Sequence, residues 1–262
     1  MKYIYLISFI AFLGCQQTSN QNENQSNDST RIYIDEFGNK KSNTLHWLHS
    51  KDYKLIKQLK EIYLVNFTVR GAGEVYWLGI RHIPENSSWQ KIETLINQLK
   101  GLKWLYLETK GVRSLNFKSL NRLQELVVRK TKQLPDKLVL PPLVKQLKSL
   151  HIQQTNVKQV VFPAQSSRIE YLFLDRNQIT RLGASYGYLK KLKKLLMFRN
   201  NVQQIDNALA QIKTLEVLEL SDNQLTSFDL VFPQLKELSL SDNPLKDTTS
   251  IKKAYPNTDV VF

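Results

Sequence analysis

The spacing of two histidines, His46 and His49, is the first feature of the sequence that could indicate a metal site. They are three positions apart, so on a helix they would share one face. Metal sites in proteins recruit further cysteine, histidine or carboxylate ligands, and this pair has no carboxylate or cysteine partner. We therefore interpret the pair as the surface of a capping helix and expect no metal site.

Motifs that carry catalysis are missing from the chain. The sequence has no glycine loop that would cradle a phosphate, no G-x-S-x-G elbow and no H-E-x-x-H pair. Nine glycines in 262 residues are few for an active site built from loops. We expect a protein that is not an enzyme and that needs no cofactor.

The first fifteen residues form a separate segment. Lys2 gives it a basic start, and Tyr3–Leu13 is mostly apolar but too short to span a membrane, as is typical of a secretory signal. The segment ends at Gly14-Cys15, which resembles the processing box of bacterial lipoproteins, in which the cysteine is lipidated. Phe12 and Leu13 depart from the usual leucine and small residue of that box. Cys15 is the only cysteine, and the alternative is an ordinary signal peptide with a chance cysteine.

The next fifteen residues, Gln16–Thr30, contain no aliphatic or aromatic side chain and cannot bury a core. They are expected to form a flexible tether with a reach of roughly 20 Å. The predicted organisation is a signal peptide (1–14), a lipidated cysteine with its tether (15–30) and a folded domain (31–262). The resemblance to lipoproteins implies export and attachment to the bacterial envelope, with the outer membrane as the expected site.

The folded domain repeats a pattern of the form L-x-x-L-x-L-x-x-[N/T/K]. Its copies are 20 to 24 residues apart, and such periods are typical of solenoids. They begin at Leu102, Leu123, Leu147, Ile169, Leu192, Leu215 and Leu235. The period and consensus resemble the leucine-rich repeat family, whose domains usually present a binding surface.

The alternating leucines predict the architecture of each repeat. Leu218 and Leu220 are two residues apart, so on a strand they point to one face, and stacked copies bury them in a common core. We expect an α/β leucine-rich-repeat solenoid with a curved parallel sheet on the concave side. Short helices and extended segments are expected on the convex side.

Both ends of the solenoid are predicted to carry caps. We assign an N-terminal cap to residues 31–74, repeats to 75–248 and a C-terminal cap to 249–262. The N-terminal cap is expected to contain a helix over Leu45–Leu59, and Leu59–Phe67 is interpreted as a further degenerate repeat. A degenerate repeat begins at Val75, and its return helix is expected over Trp89–Leu99.

One asparagine position recurs at the end of each repeat motif. The resemblance implies that it hydrogen-bonds backbone groups where the chain turns away from the strand. The position holds Asn177, Asn200, Asn223 and Asn243 in the later repeats, and Lys110, Thr131 and Thr155 in the earlier ones.

The residues between the leucines should point into the concave side. Polar residues would suffice there for solubility, so aromatic residues indicate a binding surface. The expected ligand-binding residues are Trp77, Trp104, Tyr106, Arg129, His151, Tyr171, Phe173, Asp175 and Phe198. An alternative is that the N-terminal cap buries Trp77 and Trp104 as core.

The formal net charge of +14 favours acidic partners. One interpretation is that the basic residues simply lie on solvated edges of the solenoid. The alternative is attraction to anionic lipid, an acidic glycan or an acidic protein, and nucleic acid is not expected. The sequence favours a concave face that binds a protein or peptide, with glycan recognition or a structural spacer as alternatives.

Overall fold

The computed structural model describes residues 31–34, 40–41, 51–60, 64–70, 74–83, 87–142, 146–164, 166 and 168–262. Four features predicted from the sequence lie outside these ranges: Cys15, the tether, the His46/His49 pair and the helix start at Leu45.

The strands are β1 (Arg31–Ile34), β2 (Lys40–Lys41), β3 (Leu64–Arg70), β4 (Glu74–His82), β5 (Trp104–Glu108), β6 (Glu125–Arg129), β7 (Lys137–Val139), β8 (Ser149–Gln153), β9 (Gln159–Val161), β10 (Tyr171–Phe173), β11 (Arg181–Leu182), β12 (Lys194–Leu196), β13 (Gln204–Ile205), β14 (Val217–Glu219), β15 (Glu237–Ser239) and β16 (Asp259–Val261).

One long sheet dominates the structure. Twelve of the described strands join it in the order β16-β15-β14-β12-β10-β8-β6-β5-β4-β3-β1-β2. From β4 to β16 every neighbouring pair is parallel, with each strand contributed by the next repeat. The predicted α/β leucine-rich-repeat fold, with its parallel sheet, is confirmed.

The leucines of each repeat lie on one face of this sheet. Leu105 and Leu107 of β5, like Leu218 of β14, are no more than 1% exposed. The return segments cover them with apolar side chains such as Phe162 and Tyr186. This core supports one face of the sheet. The opposite face, which carries the alternate residues of the strands, is here called the inner face.

The return segments contain little regular helix. They hold the helix α2 (Trp89–Ile96), 3₁₀ turns at Ala184–Tyr188 and Asn207–Gln211, and two small sheets, β7 with β9 and β11 with β13. The chain closes with the helix α3 (Thr248–Ala254) and strand β16. Asp247 caps α3 because its Oδ1 accepts a hydrogen bond from Ser250 N at 3.0 Å.

The N-terminal end differs from the prediction. Leu59 lies in helix α1 (Lys51–Lys60), and β3 pairs antiparallel with β4, so the interpretation of Leu59–Phe67 as a further repeat is wrong. Only three residues, 71–73, separate β3 from β4, and so short a connection permits a hairpin but not a parallel crossover. Asp52 fixes α1 to this hairpin because its Oδ2 accepts a hydrogen bond from Val75 N at 2.9 Å.

Asparagines form a ladder along the turns that follow the strands. Asn200 Nδ2 donates to Leu174 O at 2.9 Å and to Met197 O at 3.0 Å, and its Oδ1 accepts from Ile179 N at 3.1 Å. Asn223 and Asn243 make the equivalent bonds in the following repeats. The Nδ2 of Asn177 donates in the same way to Ile152 O and Leu174 O, but its Oδ1 accepts from the backbone N–H of Thr155 at 2.9 Å. Each ladder residue thus joins two successive repeats through backbone groups that have no strand partner.

Threonine replaces asparagine in the earlier repeats. Thr131 Oγ1 lies 3.0 Å from Lys110 O and 2.9 Å from Val112 O, and its hydroxyl is the donor. The residue before each ladder position from Thr131 onward adopts a positive φ of 55–57°, which turns the chain away from the strand. These residues are Lys130, Gln154, Arg176, Arg199, Asp222 and Asp242.

Candidate ligand-binding face

The strand register aligns the inner-face residues in columns. The central column runs through Gly79, Tyr106, Val127, His151, Phe173, Leu196, Glu219 and Ser239, as the period of two predicts. Neighbours in a column belong to adjacent strands and are therefore about 5 Å apart. Side chains in one column consequently pack against each other as well as facing outward.

This packing buries the middle of the inner face. The rings of His151 and Phe173 stack with centroids 4.1 Å apart and planes 11° apart. Val127, His151, Phe173 and Leu196 are each 8% exposed, although none of them belongs to the leucine core. The burial of His151 and Phe173 contradicts the expectation that these two side chains lie open to a ligand.

His151 is held neutral in this column. Burial, with a smaller contribution from the charge of Arg129, lowers the pKa of His151 to about 3. Its Nε2 lies 2.8 Å from Ser149 Oγ and 3.5 Å from Glu125 Oε1. Because the imidazole is uncharged at neutral pH, its contact with Glu125 is not an ion pair, and burial raises the pKa of Glu125.

Asp175 accepts hydrogen bonds from neighbouring residues of the inner face. It is 4% exposed, and its carboxylate accepts hydrogen bonds from Gln153 Nε2 at 2.7 Å and Phe198 N at 3.2 Å. Burial raises its pKa to about 6 in spite of these bonds. Its burial contradicts the expectation that the carboxylate lies open to a ligand, and the residue positions the backbone of Phe198.

Tyr106, Glu108 and Lys130 form a polar chain near the end of β5. The Tyr106 hydroxyl donates to Glu108, and Lys130 Nζ pairs with the other carboxylate oxygen of Glu108. Burial acts to raise the pKa of Glu108, but the bonds from Lys130 and Tyr106 outweigh it and the pKa is lowered. Burial, followed by the bond to Glu108, raises the pKa of Tyr106 to about 12. Tyr106 is thus a neutral, half-buried ring.

Arg129 lies on the strand next to this chain. Its Nε is buried and has no hydrogen-bond partner among the described residues. Buried polar atoms are normally paired, so this guanidinium retains an unused donor on the inner face.

Phe198 is a half-buried aromatic ring of the inner face that lies close to two cationic side chains. Two guanidinium groups lie near this ring, with Arg176 Cζ 5.3 Å and Arg199 Cζ 5.8 Å from the ring centroid. Arg199 Nε also donates to Asp222 Oδ2 at 3.1 Å. The sequence did not single out Arg199 as a partner of Phe198, although both arginines occupy the same turn position, directly before a ladder asparagine.

A second group of aromatic rings lies toward the N-terminal end of the same face. Trp77 and Trp104 are register partners and both are half-buried. Much of the N-terminal cap that was expected to cover them in the alternative interpretation lies outside the described residues. Trp77 lies over Gly79, where a Cβ would approach Trp77 Cη2 to 2.6 Å. Trp104 makes an edge contact with Tyr76, with centroids 5.3 Å apart. Tyr171, farther along the sheet, is 39% exposed.

Two other kinds of site are not found in the described part of the chain. No group of three or more histidine, cysteine, aspartate or glutamate side chains is arranged to hold a metal ion. No helix within the described ranges has the length and apolarity to cross a membrane.

Comparisons with known proteins identify the same repeat and the same fold. Two family models for leucine-rich repeats match residues 167–225 and 213–253. A solved leucine-rich repeat protein of Leptospira interrogans is similar at 26% identity and a TM-score of 0.51, over 71% of this chain and 48% of that one. The leucine-rich repeat domain of LRIM1 is similar at 20% identity and a TM-score of 0.52, over 75% of this chain and 58% of that one.

The structural match covers only part of the Leptospira protein. This chain spans about half the length of the Leptospira protein that it resembles. No curated protein matches the chain in sequence.

Proposed function

Because this chain is a leucine-rich repeat protein in sequence and in fold, we propose that its inner face binds another protein or a peptide. Domains of this fold serve in general as protein-binding scaffolds. The observation that carries the proposal is the ring of Phe198 beside the guanidinium groups of Arg176 and Arg199 on the sheet. Aromatic and arginine side chains are the residues that most often dominate the energetics of protein interfaces.

The charge around Phe198 favours an acidic segment of the partner. Arg176 makes no ion pair among the described residues, whereas Arg199 is paired with Asp222. A carboxylate of the partner can therefore pair with Arg176 while an apolar side chain covers the ring. The aromatic residues Trp77, Trp104 and Tyr106 extend the same face for a longer ligand.

We also propose that the protein is exported and held in the bacterial envelope, with the outer membrane as the expected site, by lipid on Cys15. The support is the apolar N-terminal segment that ends at Gly14-Cys15 and the polar tether that follows it. An anchored domain on such a tether can present its inner face to partners near the membrane.

Photo-crosslinking tests the binding proposal. Phe198 is replaced by p-benzoylphenylalanine, and Tyr188, an exposed aromatic residue off the inner face, is replaced in a control. Irradiation in envelope extract should yield an adduct at position 198 and none of the same mass at position 188. Digestion by protease should remove the added mass. Sensitivity to glycosidase alone would point to a glycan instead, and absence of an adduct at position 198 would contradict the proposal.

A further inference from the structure

Unpaired cations are concentrated at the edge where the parallel strands begin. Five exposed side chains from four neighbouring repeats form this start-edge cluster: Lys148, Arg168, Lys190, Lys191 and Lys213. None of them makes an ion pair among the described residues. Arg168 and Lys190 donate to the neutral side chains of glutamines one repeat away.

The backbone brings these repeats together in a row. The N–H groups of Glu170, Lys193 and Glu216 each donate at 2.8 Å to the carbonyl of the equivalent residue one repeat earlier. The segments are therefore stacked one strand spacing, about 5 Å, apart. The cations of the cluster therefore follow one row roughly 15 Å long.

The anions of this row do not neutralise the cluster. Glu170 pairs with Lys193 at 2.9 Å, and Glu216 pairs with Lys236 at 2.7 Å. Both carboxylates are thus engaged with lysines outside the cluster. The positive charge of the five clustered side chains remains available to an external ligand.

The segments that follow the same strands are organised differently. There Lys158 pairs with Asp136 at 2.8 Å, Arg181 with Asp206 at 3.3 Å and Arg199 with Asp222 at 3.1 Å. In these repeats, more cations without an ion pair lie before the strands than after them. The net charge of the chain alone does not account for this uneven distribution.

Exposed apolar side chains accompany the cluster. Tyr188 is 45% exposed and Val231 is 54% exposed. Each lies four residues before the first leucine of its repeat motif, so both occupy the same position on the start edge, and Tyr188 is two residues from Lys190. Tyrosine is enriched where a membrane surface meets water, because its ring and hydroxyl suit the two environments.

We propose that the start-edge cluster docks the domain on an anionic lipid bilayer. A flat surface of lipid phosphates can engage an open row of lysines all at once, and its interfacial layer accommodates the rings and aliphatic groups between them. In this orientation the strands run away from the bilayer, and the inner face opens to the side. The docking does not require lipid on Cys15 and involves no residue of the proposed protein-binding site.

Vesicle sedimentation tests this inference with the full chain carrying Cys15→Ser, so that no lipid anchor contributes. Vesicles of phosphatidylcholine with phosphatidylglycerol are compared with phosphatidylcholine alone. The test variant adds K148Q, K190Q, K191Q and K213Q, and the control variant instead adds K110Q, K132Q, K137Q and K246Q, which remove the same charge from exposed sites elsewhere.

The chain should prefer the anionic vesicles, and added salt should weaken this binding. The test variant should lose more than about 50-fold in partitioning, since each lysine at an anionic surface contributes a factor of about five. The control variant should lose far less. Equal losses in both variants, or no loss in the test variant, would overturn the inference. Start-edge-dependent binding to soluble polygalacturonate without binding to vesicles would assign the cluster to an acidic polysaccharide instead.

Discussion

At the scale of single residues, burial disfavours the charged form of one carboxylate on the inner face, that of Asp175. The pKa of Asp175 is raised by burial from 3.8 to about 6, so the native state binds this proton more tightly than the unfolded chain does. Stability from this group is therefore fully present at low pH and is lost as the pH rises from about 4 to about 6. At neutral pH the domain holds a buried carboxylate that destabilises it.

Asp175→Asn should consequently stabilise the protein at pH 7.5. The amide oxygen still accepts from Phe198 N, and the amide nitrogen can donate to Gln153 once that side chain reverses its own amide. We expect a gain of about 1–3 kcal/mol at pH 7.5 and almost none at pH 4. Chemical denaturation at the two pH values measures this, and a loss of stability at pH 7.5 would show that the charge itself is needed.

The two phenylalanines of the inner face should differ in their effect on stability. Phe173 is buried and stacked on His151, so Phe173→Ala should cost roughly 2–4 kcal/mol through lost contacts and a cavity. Phe198 is half-buried at the surface, and Phe198→Ala should cost less than about 1 kcal/mol. Thermal melts of the two variants provide the comparison. Equal losses would mean that Phe198 is also a packing residue and would weaken its assignment as a ligand contact.

At the scale of elements, the asparagine ladder ties one repeat to the next. Asn200→Ala removes two donors and one acceptor from buried backbone groups, so it should destabilise the domain by about 1–3 kcal/mol. Asn201→Ala, at the exposed neighbouring position, is the control and should have little effect. An unchanged unfolding midpoint for Asn200→Ala would mean that the ladder does not couple the repeats.

The sequence predicts the elements that repeat better than those that do not. The spacing of leucines predicts the repeat strands of the long sheet and the columns of the inner face, because a period of two leaves one register that buries every leucine. These strands are β5, β6, β8, β10, β12, β14 and β15. The hairpin of β3 and β4 has no repeat to reveal it, and its apolar alternation resembles another repeat. The burial of Phe173 and Asp175 also escapes the pattern, since it depends on which side chains stand beside them in neighbouring strands.

At the scale of the whole molecule, the proposals place two surfaces and an anchor on one chain. Cys15→Ser should shift the protein from the membrane fraction to the soluble fraction at high salt, because lipid chains supply salt-resistant anchoring. At low salt the start-edge cluster should retain part of the variant on membranes, since this attraction is electrostatic. Fractionation at the two salt concentrations separates these contributions. Retention of Cys15→Ser at high salt would contradict the lipid anchor.

Binding on the inner face is the central claim, and the affinity of the partner recovered by crosslinking at position 198 tests it most directly. Titration calorimetry would compare the wild-type chain, Phe198→Ala and the control Tyr188→Ala, all folded by circular dichroism. If Phe198 is an anchor beside Arg176 and Arg199, its replacement should raise the Kd by about 30-fold, which corresponds to roughly 2 kcal/mol, while the control remains unchanged. A Kd for Phe198→Ala within about twofold of wild type would contradict the claim.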